Sequence, residues 1–263
     1  MSDSIISLDD WLETPAGRYL LAWEQAQIDA AVADIFGYHA LQLGLSQIDG
    51  LHTNRMPHQW LALDRLQQVK IASVRSEALL TDFTALPFAS SSLDLVVLPH
   101  TLEASEDPHA TLREVERVLV PEGRVVICGL NPTSLWGFKQ RRGRLVRRLG
   151  QAPLFLPEEG EFIGSWRLRD WLRLLSFEVE QSEFGCYRPA LRTEKWLQRF
   201  AWMDRAGSRW WPIFGAAYFV VAVKRVRGMR LLGPAWKTKP SRVVKPVSVA
   251  NSVTDYSQLE KKE

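Results

Sequence analysis

The sequence predicts an α/β protein with three layers, helices on both sides of a mostly parallel sheet. Three observations carry this. Short apolar, β-branched runs alternate with amphipathic stretches along residues 37–226. Leu93–Leu98, 108–119 and Arg124–Cys128 read as strand, helix and strand, a βαβ unit whose crossover is right-handed and whose strands are parallel. Hydrophobic residues at 46% and charged residues at 24% of 263 are enough to build a core, which excludes wholesale disorder.

Each element has a local reason. Thr14-Pro15 is an N-cap followed by an N1 proline, and Leu21, Ile28, Val32 and Ile35 recur at helical spacing, so a helix is predicted over 15–36. Gly37 ends it. His39–Leu45 is a buried strand. Trp60–Leu63 and 78–81 are weaker strands that run into Asp64 and Asp82. Asp107-Pro108 repeats the capping pair before the helix over 108–119, with Leu112, Val115 and Leu119 on one face; Pro121-Glu122-Gly123 reads as a turn. Residues 130–165 form a connection too long to be structureless, and are predicted to be partly helical and functional. Ser165 is predicted to cap a helix over 166–175, Phe177–Ser182 is a strand, 194–206 a helix, and Tyr218–Val223 a strong strand. After Gly228 periodicity is lost among prolines and basic residues, which predicts a disordered tail.

The net charge of +3 conceals two unlike halves. Residues 1–138 hold 8 Lys/Arg against 18 Asp/Glu, whereas 139–263 hold 25 against 12. The stretch 139–149 (KQRRGRLVRRL) has six bases and no acid. A basic half can face an anionic partner, RNA or a membrane surface, or can neutralise the acidic half of its own chain. No apolar run reaches the ~20 residues of a membrane helix. The acidic start MSDSIISLDDW lacks the signature of a secretory signal. Two cysteines without a CxxC argue against a structural zinc or a redox pair, so no metal and a cytoplasmic location are expected.

In sheets of this kind ligands bind beyond the carboxyl ends of the strands, at the switch point. That selects Gly44, Asp64, Asp82, Pro99–Leu102 and Gly129–Pro132. Strand-end aspartates can receive nucleoside hydroxyls and amines, or can simply cap turns. Cys128, in mid-strand, is a core residue, and His109, in a first helical turn, faces solvent. Trp166, Trp171, Trp196, Trp202, Trp210 and Trp211 can line an apolar pocket, stack on bases or pack helices on the sheet; packing is the preferred reading.

The run from Asp82 to Gly129, DFTALPFASSSLDLVVLPHTLEASEDPHATLREVERVLVPEGRVVICG, resembles the class I S-adenosylmethionine (SAM)-dependent methyltransferases of the type 11 group. Their pattern is D-x-x-x-L-P-F, F-D-x-V, H-x-L-E-H, D-P, an R-x-L helix end and P-G-G before a strand. The resemblance implies a Rossmann-like methyltransferase fold with a terminal antiparallel strand pair, and SAM as cofactor. It implies that Gln42 and Gly44 line the methionine moiety, Asp64 takes the ribose hydroxyls, and Asp82 and the Phe83 amide take adenine. Pro99, His100 and Leu102 would stand beside the transferred methyl, with His100 as a candidate base. The first motif departs from the pattern: an acidic residue and G-x-G-x-G are expected, and the chain has Gln42-Leu43-Gly44-Leu45-Ser46-Gln47-Ile48. The segment between Asp64 and Asp82 is short for a full crossover helix.

The organisation expected is a helical extension over 1–36, a methyltransferase-like domain over 37–226 with substrate or lid insertions at 130–165 and 183–212, and a basic tail over 227–263. The function expected is methyl transfer from SAM to an unidentified acceptor. The alternative is a degenerate homologue that binds or scaffolds an anionic partner, RNA or a membrane surface, through 139–149 and the tail.

Overall fold

A computed structural model describes residues 8–64, 78–147, 155–156, 162–191 and 193–225. The predicted tail, residues 65–77, and Arg148 and Leu149 of the basic run lie outside the described residues.

The short helix α1 (Leu8–Leu12) leads into α2 (Pro15–Val32). Thr14 caps α2 as predicted, its hydroxyl accepting from the Gly17 amide at 3.2 Å. Gly17 is required there, because a Cβ would stand 2.4 Å from the Leu12 backbone. The buried stripe of α2 is Leu20, Glu24, Ile28 and Val32 rather than one begun by Leu21, and the helix stops at Val32, short of 36.

Seven strands follow: β1 (His39–Leu43), β2 (His58–Leu63), β3 (Ala78–Leu80), β4 (Leu93–Pro99), β5 (Leu119–Leu130), β6 (Phe177–Gly185) and β7 (Ala217–Lys224). The sheet order is β3-β2-β1-β4-β5-β7-β6. The first five strands are parallel, and β7 runs antiparallel to both β5 and β6. This is the predicted Rossmann-like methyltransferase architecture. Residues 121–123 do not end a strand. They lie in a bulge of β5, between the pairs Leu93 with Leu119 and Leu95 with Arg124. Pro121 has no donor to lose there, and Glu122 takes the positive φ of 65°.

Helices α3 (Thr101–Ala104) and α4 (Pro108–Val118) lie between β4 and β5. Asp107 caps α4 by accepting from the Ala110 amide at 2.9 Å. Helix α5 (Leu135–Arg147) fills part of the long connection, and α6 (Ser165–Leu174) precedes β6. The cap of α6 is Gly164, and Ser165 is its first residue and makes no side-chain cap. The helix predicted over 194–206 is two, α7 (Glu194–Arg199) and α8 (Trp202–Trp210), followed by a 3-10 turn at Pro212–Phe214.

Two cores sandwich the sheet. Alternate residues of β4, Leu95 and Val97 against Val96 and Leu98, point to opposite sides. One side is covered by α1, α2 and Trp136 of α5, the other by α4 and α6. Trp136 packs edge-on against Trp11 and Phe155, so the residues before β1 belong to the same hydrophobic core as the sheet.

Candidate functional site at the switch point

Connections leave β1 and β4 in opposite directions, so the switch point lies between their carboxyl ends. The two ends are clamped together by the hydroxyl of Thr101, which donates to the Leu43 carbonyl at 2.5 Å.

His100 stands one residue past β4, in a left-handed backbone conformation (φ 54°), and is 1% exposed. Its Nδ1 is 2.8 Å from Glu103 Oε2. Its Nε2 is 2.9 Å from Glu24 Oε1 and 3.1 Å from Oε2. The ring's N–H points to Oε2, so Oε1 lies against the charge without a hydrogen bond of its own. Glu103 Oε1 accepts in turn from the Leu130 amide at 2.6 Å. One imidazole thereby joins α2, the end of β4 and the end of β5. Burial alone would lower its pKa, but the two carboxylates outweigh burial and raise it to about 10. Burial raises the Glu103 carboxyl, and His100 and the Leu130 amide offset that only in part. His100 is therefore an imidazolium at neutral pH with both nitrogens engaged, a structural cation with no lone pair for a substrate proton.

The loop after β1 is closed by Gln42, which is 3% exposed. Its amide nitrogen donates to the carbonyls of Leu45 (2.9 Å) and Ile48 (2.8 Å), and its oxygen accepts from the Gly50 amide at 2.8 Å. Turns rather than a helix join β1 to β2. Gly44 carries the positive φ of 73° that lets the chain turn here, and its amide donates to Ala62 O at 2.7 Å.

Asp64 follows β2 directly and is half-buried; Asp82 follows β3 and is exposed. Because Leu63 pairs with Leu80 in parallel register, the two aspartates share one sheet edge. Asp82 Oδ1 accepts from the Thr84 amide (2.8 Å) and hydroxyl (2.7 Å), which fixes the turn. Phe83 and Leu102 are buried in the core, and Pro99 ends β4 opposite Cys128. The motif around Leu86-Pro87-Phe88 is held by Arg117, which donates to the Leu86 and Phe88 carbonyls at 3.0 Å and pairs with Glu114 at 2.8 Å.

Sequence reasoning missed Glu24 and the structural use of Thr101 and Glu103. A signal for Glu24 existed: it interrupts the four-residue spacing Leu20, Ile28, Val32 on the apolar face of α2. Cys128 is core as expected, and its thiol is pushed up by burial and by Glu24 and Glu103. His109 is exposed but its ring rests 3.8 Å from Trp171. The packing preferred for the tryptophans holds for half-buried Trp171 and fails for the others: Trp166, Trp196, Trp202, Trp210 and Trp211 are all exposed.

A second polar cluster holds α2 through Tyr19. Tyr19 donates to Asp204 Oδ1, and Arg188 pairs with Asp204 Oδ2 at 2.9 Å and lies over the Tyr19 ring. The Tyr19 phenol is pushed far up by burial. No described helix is long and apolar enough to cross a membrane.

Comparison with known proteins agrees with this geometry. The profile described as "Methyltransferase domain" matches residues 46–127, beginning just past Gly44. The chain is 31% identical over 177 residues to the uncharacterized protein YafS of Escherichia coli (strain K12), covering 67% of this chain and 68% of that one. Among solved structures it is similar to the putative methyltransferase of Haloferax volcanii in complex with its Trm112 activator. That similarity has a TM-score of 0.59 and 17% identity and covers 86% of this chain and 99% of that one. A SAM-dependent methyltransferase from Archaeoglobus fulgidus is similar over 78% of this chain and 94% of its own, at TM-score 0.53 and 15% identity. At these identities the two structures speak for the fold.

Proposed function

The chain belongs to the class I SAM-dependent methyltransferases of the type 11 domain family, and from that premise we propose which of its residues serve the cofactor and how. Asp64 and Asp82 receive the adenosine part of SAM. The observation that supports this is their placement at the carboxyl ends of adjacent parallel strands, two acceptors on one edge for a diol and an amine. The Phe83 amide accompanies Asp82, and Gly44 leaves room for the methionine part beside Pro99. Gln42 acts indirectly, by holding the loop whose backbone lines that part.

SAM supplies a methyl group on a sulfonium, and displacement at that carbon is accelerated chiefly by positioning. The chain's contribution is a rigid edge. Thr101 fixes β1 to β4, and the Glu24–His100–Glu103 cluster fixes α2 and β5 to the same point. His100 keeps its proton, so it positions rather than acts as a base, and an acceptor that must lose a proton gives it to another group. Residues 139–149 offer basic side chains to an anionic partner, RNA or a membrane surface.

Titration calorimetry with SAM and S-adenosylhomocysteine tests the reading. Binding of either in the micromolar range supports it. Absence of both below about millimolar favours the second reading, a methyltransferase-like binding protein, which the Gln42-closed loop favours.

A further inference from the structure

We propose that the segment between β6 and β7 is a docking face for an anionic lipid bilayer. This segment holds α7, α8 and the 3-10 turn. Its inner side is committed: Leu197 is buried, Asp204 is taken by Tyr19 and Arg188, and Gly207 lies against the Tyr187 ring so closely that a Cβ would stand 2.2 Å from it. Its outer side is of a different composition. On α8, Trp202, Arg205 and Arg209 recur at i, i+3 and i+7, with Trp210 adjoining, and Trp202 and Trp210 are 61% and 74% exposed. Lys195, Trp196 and Arg199 continue it on α7, and Trp211, Ile213 and Phe214 on the turn, all exposed. Exposed apolar surface on this scale marks an interaction site.

The position is fixed at the working edge of the sheet. Ala217, the first residue of β7, pairs with Leu130 at the carboxyl end of β5. The Asn131 side-chain Nδ2 donates to the carbonyls of Ile213 (2.8 Å) and Gly215 (2.9 Å), one helical turn before α5 begins. Helix α5 extends the chemistry, with Leu135, Phe138 and Leu145 exposed beside Arg141 and Arg142.

Charge and side-chain type select the occupant. Arg205, Arg209, Arg141 and Arg142 have no acidic partner among the described residues, so their charge is available to an anion. Tryptophan with arginine is the composition of a membrane-interface face. RNA would use the aromatic rings and the arginines but has no use for Ile213, Leu135 or Leu145, which a bilayer takes up.

The test is flotation of the full chain with vesicles of phosphatidylcholine alone or with about 30 mol% phosphatidylglycerol, at low and high salt. Binding to the anionic vesicles is expected, with little to the neutral ones. Trp202→Ala with Trp210→Ala is expected to weaken binding about tenfold, and Arg205→Gln with Arg209→Gln to weaken it comparably while flattening the salt dependence. These side chains are exposed, so melting temperature should not move. Failure of the unaltered protein to float, or flotation of both variants as strongly as the parent, overturns the proposal. So does tighter binding of a single-stranded RNA than of anionic vesicles, or a dimer that the tryptophan variant dissociates in place of vesicle binding. Flotation needs no cofactor, so its failure is separate from any failure of SAM binding.

Discussion

Glu24 and His100 meet across 76 residues of sequence, with Nε2 2.9 Å from Oε1, and this contact locks helix α2 to the switch point of the sheet. Without Glu24 the Nε2–H of His100 is buried with no acceptor, although Glu103 still balances the charge. Glu24→Ala should therefore destabilise the protein by about 1–3 kcal/mol. Chemical denaturation measures it; a loss below 1 kcal/mol would mean that α2 is held by packing alone.

The same cluster sets a pH dependence. His100 binds its proton more tightly folded, near pH 10, than unfolded, near 6.5. Its contribution is fully present below pH 6.5 and is lost as pH rises through 10. The melting temperature should fall steadily from pH 7 to 8, below the range where the thiols of Cys128 and Cys186, which ionise near 9 only in the unfolded chain, add their own loss. His100→Gln should start lower and lose that slope. A parent protein whose melting temperature is flat over this interval would refute the assignment.

Restoring the family's acidic residue should not help here. An Asp at position 42 is too short to reach its partners and cannot donate to the Leu45 and Ile48 carbonyls. Gln42→Asp is expected to cost about 1–3 kcal/mol, as buried backbone groups lose their partner. Hydrogen exchange should report the damage locally, at the Gly50 amide. Unaltered protection there would show that the loop is held by other contacts.

The two functions of Asp82 can be separated. Asp82→Asn keeps an acceptor for Thr84 and loses the charge, whereas Asp82→Ala loses both. Calorimetry with S-adenosylhomocysteine should show a loss of about 10- to 100-fold for Asp82→Ala and less for Asp82→Asn. Equal affinities for parent and both variants would move the adenine site elsewhere.

What the sequence disclosed follows from the range of the forces involved. The strands, the capping pairs Thr14-Pro15 and Asp107-Pro108, and the βαβ unit are local, and each was readable from neighbouring residues. The strand-end positions Asp64, Asp82 and His100 were legible because topology fixes where strands finish. The partners of His100 were not, since Glu24 reaches it through tertiary packing alone. The misjudged tryptophans show the same limit: helical spacing tells which side chains share a face, while only the fold tells whether that face is covered. The bulge at 121–123 reads as a turn because bulges and turns use the same residues.

The place of β7 has a consequence for the protein while it is being made. Among the seven strands it is the last to leave the ribosome, yet it lies between β5 and β6. A nascent chain that has exposed residues up to about 200 holds both neighbours with unpaired edges and nothing to join them. Synthesis must run to Lys224 before the sheet can close, so the growing chain passes through an interval in which two sticky edges are open to other polypeptides.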